Sequence, residues 1–211
     1  APTTTRAKPY RDLGYLRIAL VNAVLWAVAL ATESALPVFA VRDAELPTWS
    51  VGLLFTVNTA LMSTLQLPMS RLLKGARLPT VVAVGALLYG VLHLGAAMLP
   101  SVPGQGRVAV LVAAMAVYTL GEVAVSQGTL VQLTSWPPEH AKGSYLAFNQ
   151  VLVGVATALA PLLATSLPMS GPGVLWWVLA GLGVLAAAVS LSAPRTAVPA
   201  AAAPRHEAAE G

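Results

Sequence analysis

Six apolar stretches, each long enough to cross a lipid bilayer, alternate with short polar segments along the chain. A spanning helix needs about 20 predominantly apolar residues. Six runs reach that length, at 15–41, 49–69, 79–99, 108–133, 145–167 and 174–191. The connections are short, as in RDAELPT and PMSGPG, which predicts that sequential helices pack as antiparallel neighbours. We therefore predict an all-α membrane protein, with six transmembrane helices forming one bundle over residues 13–192.

Composition agrees with a chain whose main solvent is lipid. Of the 211 residues, 57% are hydrophobic and only 9% are charged, whereas soluble domains carry about 25% charged residues. The net charge of +4 could indicate nucleic-acid binding. The basic residues are, however, sparse and separated by apolar spans, so we expect a lipid bilayer as partner and no nucleic acid. The absence of cysteine excludes disulfides and thiolate metal sites.

The distribution of basic residues predicts the orientation. If both termini are cytoplasmic, ten of the twelve Lys and Arg residues lie inside, and only Arg42 and Arg107 lie outside. The bias towards Ala, Val, Leu, Gly and Pro suits a GC-rich bacterial genome, so the predicted location is the bacterial cytoplasmic membrane. Residues 1–12 lack the order of a signal peptide and are interpreted as a cytoplasmic linker that continues an upstream segment. Residues 193–211 are Ala/Pro-rich and predicted to be a disordered cytoplasmic tail.

Two carboxylates lie inside the apolar runs. Glu122 is in the middle of the fourth run, where a charged side chain costs roughly 2.5–3.5 kcal/mol on insertion scales. Such a residue usually faces a protein interior or a water-filled cavity, so Glu122 is the first candidate for a proton or substrate pathway. Glu33, nearer the outer end of the first run, is the second candidate. His93 lies in an otherwise apolar run and is predicted to be a packing residue.

Polar residues recur on one face of several runs, at spacings of three, four and seven residues. They are Asn22, Trp26 and Glu33 in the first run, Thr56, Thr59, Ser63 and Gln66 in the second, Thr119, Glu122, Ser126 and Thr129 in the fourth, and Asn149 and Gln150 in the fifth. The third and sixth runs are nearly bare. We expect the polar stripes to converge on an aqueous surface and the two plain helices to face lipid. The alternative is that individual Ser and Thr hydroxyls only bond the preceding helical turn.

The candidate pathway therefore comprises the two carboxylates and a set of neutral polar side chains. The neutral members are Asn22, Thr59, Thr119, Ser126, Gln127 and Asn149. Pro37, which follows the stripe of the first run, is expected to interrupt that helix.

The six runs also divide into two units of three, and the first run of each unit carries one intramembrane carboxylate. Successive units of three helices run in opposite senses, as inverted-topology repeats do, and such repeats place their sites at the midplane interface. No nucleotide-binding or zinc-protease motif occurs, nor any Ser–His or paired-Asp constellation within the runs. We therefore expect no cofactor, no metal site and no enzyme.

Two segments carry a family resemblance. WSVGLLFTVNTALMSTLQLPMSRLLKGAR, residues 49–77, resembles the eighth helix and following basic loop of major facilitator superfamily transporters. YTLGEVAVSQGTLVQLTSWPPEHAKGSYLAFNQVLVGVATALAPLLAT, residues 118–165, resembles the tenth and eleventh helices of the bacterial drug-efflux branch of that superfamily. The matching positions are Gly121, Glu122, Pro137, Pro138, Gly143, Tyr145, Pro161, Leu162 and Leu163. Two departures are Lys142, where the family often has arginine, and a basic loop at 70–77 without the family's aspartate.

The resemblance covers nearly all of 13–191 and implies the C-terminal six-helix half of a twelve-helix carrier. The N-terminal half would then be a further partner, and Arg71, Lys74 and Arg77 would form the cytoplasmic gating loop. The implied function is proton-coupled export of small amphipathic, drug-like molecules by alternating access. Two alternatives stay open: a nutrient uniporter or symporter of the same fold, and a non-transporting six-helix scaffold or intramembrane enzyme.

Overall fold

The computed structural model describes residues 8–73, 75–167 and 173–192, and these residues form an all-α bundle of six helices. The helices are α1 (Leu13–Val38), α2 (Trp49–Leu72), α3 (Leu78–Met98), α4 (Gly104–Ser135), α5 (Lys142–Ser166) and α6 (Val174–Leu191). The predicted fold class is therefore confirmed. Most of the predicted linker, Lys74 and the predicted tail at 193–211 lie outside the described residues.

Each of the six helices is long and apolar enough to cross a membrane. Mean hydropathy is lowest in α2, at 1.3, and highest in α6, at 2.2. This difference in hydropathy arises because α2 carries the longest polar stripe and α6 has almost no polar residues. The chain is thus a multi-pass membrane protein by the length and composition of its helices.

The end of α1 differs from the prediction. The helix begins at Asp12, whose side chain accepts the backbone N–H of Tyr15 at 3.0 Å and so caps the first turn. It then continues through Pro37 to Val38 and winds on as a π-helix over Phe39–Asp43. The expected interruption at Pro37 is wrong. Membrane-spanning helices often continue through a proline, because neighbouring groups can satisfy the backbone carbonyl that it leaves free.

The order of packing also differs from the prediction. Helix α3 packs against α4 and α6, α1 packs against α5, α6 and α4, and α2 packs against α4. Among the described residues, α3–α4 is the only extensive contact between sequential helices. Sequential neighbours were therefore the wrong expectation for most pairs. A five-residue connection such as 44–48 can reach about 16 Å, whereas packed helices lie only 8–10 Å apart.

The packing has an internal symmetry. If α1, α2 and α3 are exchanged with α4, α5 and α6, the contact between α2 and α4 becomes the contact between α5 and α1. The contact between α3 and α4 likewise becomes the one between α6 and α1. This is the pattern that two inverted three-helix repeats would produce.

Burial is unevenly shared among the helices. The main apolar core is built from α1, α3, α4 and α6, while α2 buries only Ser50 and Leu54. The plain helices α3 and α6 each bury one face in this core, and α3 exposes an apolar face that includes Val84, Leu87 and Val91. The plain helices can therefore face lipid on one side only, because the other side of each is buried in the core. The least buried helices are α2 and α5.

Candidate functional site

Glu122 is held by an amide from another helix. It lies half-buried on α4, about 20 Å along the helix from the end at Ser135. Its Oε2 accepts a hydrogen bond from Nδ2 of Asn58 on α2 at 2.8 Å. A charge-assisted hydrogen bond of this kind fixes the carboxylate position more strongly than a neutral contact does.

Asn58 also donates its second amide hydrogen to a residue of α4. Nδ2 also donates to Oγ1 of Thr119 at 3.0 Å. Thr119 is fully buried, and its hydroxyl donates a hydrogen bond to the carbonyl of Met115 at 2.8 Å. The amide of Asn58 therefore ties α2 to α4 across one helical turn, and both NH₂ hydrogens are in use.

Glu33 meets this cluster from α1. It is exposed, and together with Thr32, Asn58 and Tyr118 it lines a small cavity of about 10 Å³, which is close to the size of one water molecule. The hydroxyl of Tyr118 is buried and has no hydrogen-bond partner among the described residues. Asn58 connects the two predicted carboxylates, because it lines this cavity with Glu33 and donates to Glu122 where α1, α2 and α4 meet.

Neither carboxylate has a cationic partner among the residues that the structure describes. The only ion pair in the described part of the chain joins Lys142 and Glu139 at 2.7 Å, in the connection before α5. A charge at membrane depth without a counterion is costly unless it faces water or binds a proton. In these surroundings each carboxyl group must face water or bind a proton.

His93 lies behind the carboxylates in the apolar core. It is fully buried on α3, its Nε2 lies 2.9 Å from Oγ1 of Thr32, and its ring stacks on Trp176 at 6.2 Å between centroids. Its Nδ1 has no partner among the residues described. The position agrees with the predicted packing role, and the contact with Thr32 links it to the edge of the small cavity.

The predicted amides on α1 and α5 form a separate contact. Nδ2 of Asn22 donates to Oδ1 of Asn149 at 3.2 Å, and Nε1 of Trp26 donates to Oγ1 of Thr157 at 3.2 Å. These bonds hold α5 against α1. No hydrogen bond in the described structure joins them to Glu122.

The remaining predicted pathway residues do not join the cluster. Ser126 donates to the backbone of Val123 at 3.0 Å, and Gln127 is half-buried without a side-chain bond in the described structure. Thr59 is exposed together with the other members of the α2 stripe, which are Thr56, Ser63 and Gln66. Several of these hydroxyls bond their own preceding turn, as the simpler alternative expected.

The predicted gating loop is only partly described. Arg71 and Arg77 are both exposed, at the end of α2 and just before α3. Lys74 lies outside the described residues.

Three residues of the site were missed by sequence reasoning: Asn58, Tyr118 and Thr32. Asn58 falls one position before Thr59, outside the regular spacing that defined the α2 stripe. Its signal was chemical: an amide in the middle of an apolar span is itself costly. Tyr118 and Thr32 carry weaker signals, because tyrosine and threonine are common packing residues in membrane helices.

A second polar centre lies at the end of the bundle where α1 begins, here called the Asp12 end. Oδ2 of Asp12 accepts hydrogen bonds from Trp136 Nε1 at 3.0 Å and from the Tyr145 hydroxyl at 3.2 Å. The Tyr15 hydroxyl donates to the carbonyl of Tyr145 at 2.7 Å, and the two tyrosine rings meet edge to face. Burial raises the pKa of Asp12, but the hydrogen bonds it accepts outweigh burial, so its pKa lies below the ordinary value of 3.8. This cluster ties α1, α4 and α5 together.

No family model matches the chain, and no curated protein is significantly similar to it. In the described part of the chain, no three His, Asp or Glu side chains group as a metal site would require.

Proposed function

We propose that this chain is one six-helix half of a proton-coupled secondary transporter. We propose that it belongs to the major facilitator superfamily, which residues 49–77 and 118–165 resemble, and that it exports small amphipathic, drug-like molecules. The observation that carries the proposal is Glu122: a carboxylate inside a membrane span, held by Asn58, near Glu33 and without a cation in the described structure. Such groups are typical of ion and proton pathways.

In this proposal Glu122 takes up a proton on one side of the membrane and releases it on the other, and Glu33 acts second. Asn58 positions the Glu122 carboxylate. Alternating access would come from two bundles that rock around a midplane site. The exchange symmetry of the helix contacts supports this, because such repeats place their sites between repeat units.

The sparse packing of α2 and α5 supports a second bundle as partner. Both helices pack on one side only and leave most of their surface uncovered, including the polar stripe of α2. We propose that the N-terminal six-helix half of the carrier covers these faces, with the polar stripe lining the path between the halves. The gating role of Arg71, Lys74 and Arg77 belongs to the same proposal.

We place the protein in the bacterial cytoplasmic membrane, with the Asp12 end in the cytoplasm. The start of α1 and the end of α6 meet at this end, because Nη1 of Arg17 donates to the carbonyl of Ser192 at 3.2 Å. The excess of basic residues at that end supports the orientation.

The test is to replace Glu122 by Gln, which keeps the shape and removes the titratable group. In inverted membrane vesicles, addition of an amphipathic dye should release protons from vesicles that contain the wild-type protein, and E122Q should abolish that release. The matched control is E139Q, since Glu139 is an exposed carboxylate outside the site. Coupled proton movement that persists in E122Q would contradict the proton role. Dye transport without proton movement in the wild type would point to a uniporter.

A further inference from the structure

A groove of about 570 Å³ lies at the opposite end of the bundle, where the π-helix after α1 finishes, here called the Arg42 end. Its described walls come from the last turns of α1, the π-helix, the late part of α5 and the start of α6. The groove exists because α5 and α6 make no extensive contact within the described residues, although both pack on α1. Its volume falls within the range of small-molecule sites, about 300–1,000 Å³.

The floor of the groove is apolar. Phe39 and Trp176 meet edge to face with their ring centroids 4.9 Å apart, and both side chains are buried. Val38 and Leu175 extend the apolar wall on either side. An occupant must therefore present hydrocarbon to this surface.

The rim of the groove carries one charge of each sign. Arg42 and Asp43 both line it and are exposed. Among the described residues, the Arg42 guanidinium makes neither an ion pair nor a hydrogen bond. Arg107 differs: its Nε donates to the carbonyl of Val102 at 3.0 Å and its Nη1 to that of Ala44 at 3.2 Å. The donors of Arg42 are thus available to a ligand, and a guanidinium fork matches a phosphate.

We propose that this groove binds one phospholipid whose headgroup carries an ammonium group. Its phosphate lies on Arg42, its ammonium faces Asp43, and the start of an acyl chain lies over Phe39 and Trp176. The charges sit at the end of a membrane-spanning helix, which is the level of lipid headgroups, and their opposite signs complement the phosphate and the ammonium of one headgroup. The site is distinct from the Glu122 cluster and does not depend on a transport function.

The experiment is native mass spectrometry of the purified protein with added phosphatidylethanolamine. We expect one tightly retained lipid per chain. R42Q should weaken binding about tenfold, since hydrogen bonds from a guanidinium to a charged oxygen are among the strongest in proteins. The lipid affinity of R42K should lie between those of the wild type and R42Q, because lysine keeps the charge but lacks the forked guanidinium. Diacylglycerol with the same chains, which lacks the headgroup, should bind about as weakly as phosphatidylethanolamine binds R42Q.

Two controls keep the result specific. R107Q removes the same charge near the same end but outside the groove, and should bind the lipid as the wild type does. T165F places a ring in the groove from the exposed side of α5 and should reduce retention without changing any charge. The proposal fails if R42Q binds as tightly as the wild type, if R107Q loses as much affinity as R42Q, or if diacylglycerol binds as well as the phospholipid.

Discussion

Individual polar side chains in this protein act as connections between helices. Asn58 reaches from α2 to both Thr119 and Glu122 on α4, and Asp12 gathers Trp136 and Tyr145 at the start of α1. A hydrogen bond made within a lipid-filled environment has few competitors, so each such contact selects one arrangement of the helices. These residues therefore fix how α2 packs on α4 and how the start of α1 meets α4 and α5.

Asp12 makes the stability of the Asp12 end depend on pH. Because its pKa lies below the ordinary value of 3.8, the ionised carboxylate stabilises the folded state above that value. The stabilisation is lost as the pH falls from 3.8 through the folded-state pKa. D12N should lower the free energy of unfolding by about 1 kcal/mol at neutral pH, the difference between hydrogen bonds to a charged and a neutral acceptor.

The measurement is the melting temperature of purified wild type and D12N across an acid titration. The two curves should converge once the pH has fallen through the folded-state pKa of Asp12, which lies below 3.8, because both side chains are neutral there. D43N is the control, because Asp43 is exposed and accepts no side-chain hydrogen bond in the described structure. A difference between wild type and D12N that is constant with pH would contradict the role of the charge.

At the scale of the helices, α3 and α4 approach most closely, and glycine permits it. A Cβ atom on Gly121 would lie 2.5 Å from the carbonyl oxygen of Gly85 and 2.8 Å from Cβ of Leu88. Small residues at such crossings let helix backbones meet in membranes. Gly121 directly precedes Glu122, so this crossing also sets the position of the carboxylate.

Replacing Gly121 by alanine should therefore destabilise the protein, by roughly 1–3 kcal/mol as in other overpacked cores. The matched control is G90A on α3, where a Cβ would meet nothing within 4 Å. G90A should be neutral or slightly stabilising, because alanine favours helix. Thermal unfolding in detergent measures both variants. Equal melting temperatures for G121A and the wild type would mean that the two backbones lie further apart.

At the scale of the whole molecule, the bundle is held by contacts between helices that are distant in sequence. Helix α5 packs on α1 through Asn22 and Asn149, and it has no comparable contact with α6 in the described structure. The absence of native cysteine permits a direct test of this arrangement. A cysteine pair at positions 22 and 149 should cross-link nearly completely with a short bis-maleimide.

The control pair is G154C with G181C. These positions lie on α5 and α6, which are consecutive in sequence but do not pack against each other in the described structure. Both glycines are exposed, and a side chain at either would meet nothing within 4 Å. This pair should cross-link poorly, and electrophoretic mobility in denaturing gels distinguishes the products. Efficient cross-linking at 154 and 181 with none at 22 and 149 would support the sequential packing that the short loops first indicated.

The local properties of the molecule follow from its order of residues. A twenty-residue apolar run forms a helix in a bilayer because the helix pairs the backbone groups of a segment within that same segment. The number of helices, their approximate ends and the unusual position of Glu122 therefore follow from the order of residues alone. The winding of α1 past Pro37 was not predictable from the proline, since the cost of its missing N–H depends on how the following turn adjusts.

The pairing of helices and of polar groups is seen only in the folded bundle. Periodicity places Thr59 and Glu122 on helix faces but does not orient one helix against another. It therefore predicts Thr59 as the site residue of α2, whereas Asn58 is the residue that contacts Glu122. The plain helices became partners in the core because their small residues pack closely, while α2 and α5 kept most of their surface uncovered. Packing is a property of pairs of surfaces. A single sequence records each surface separately, and their complementarity exists only once the chain has folded.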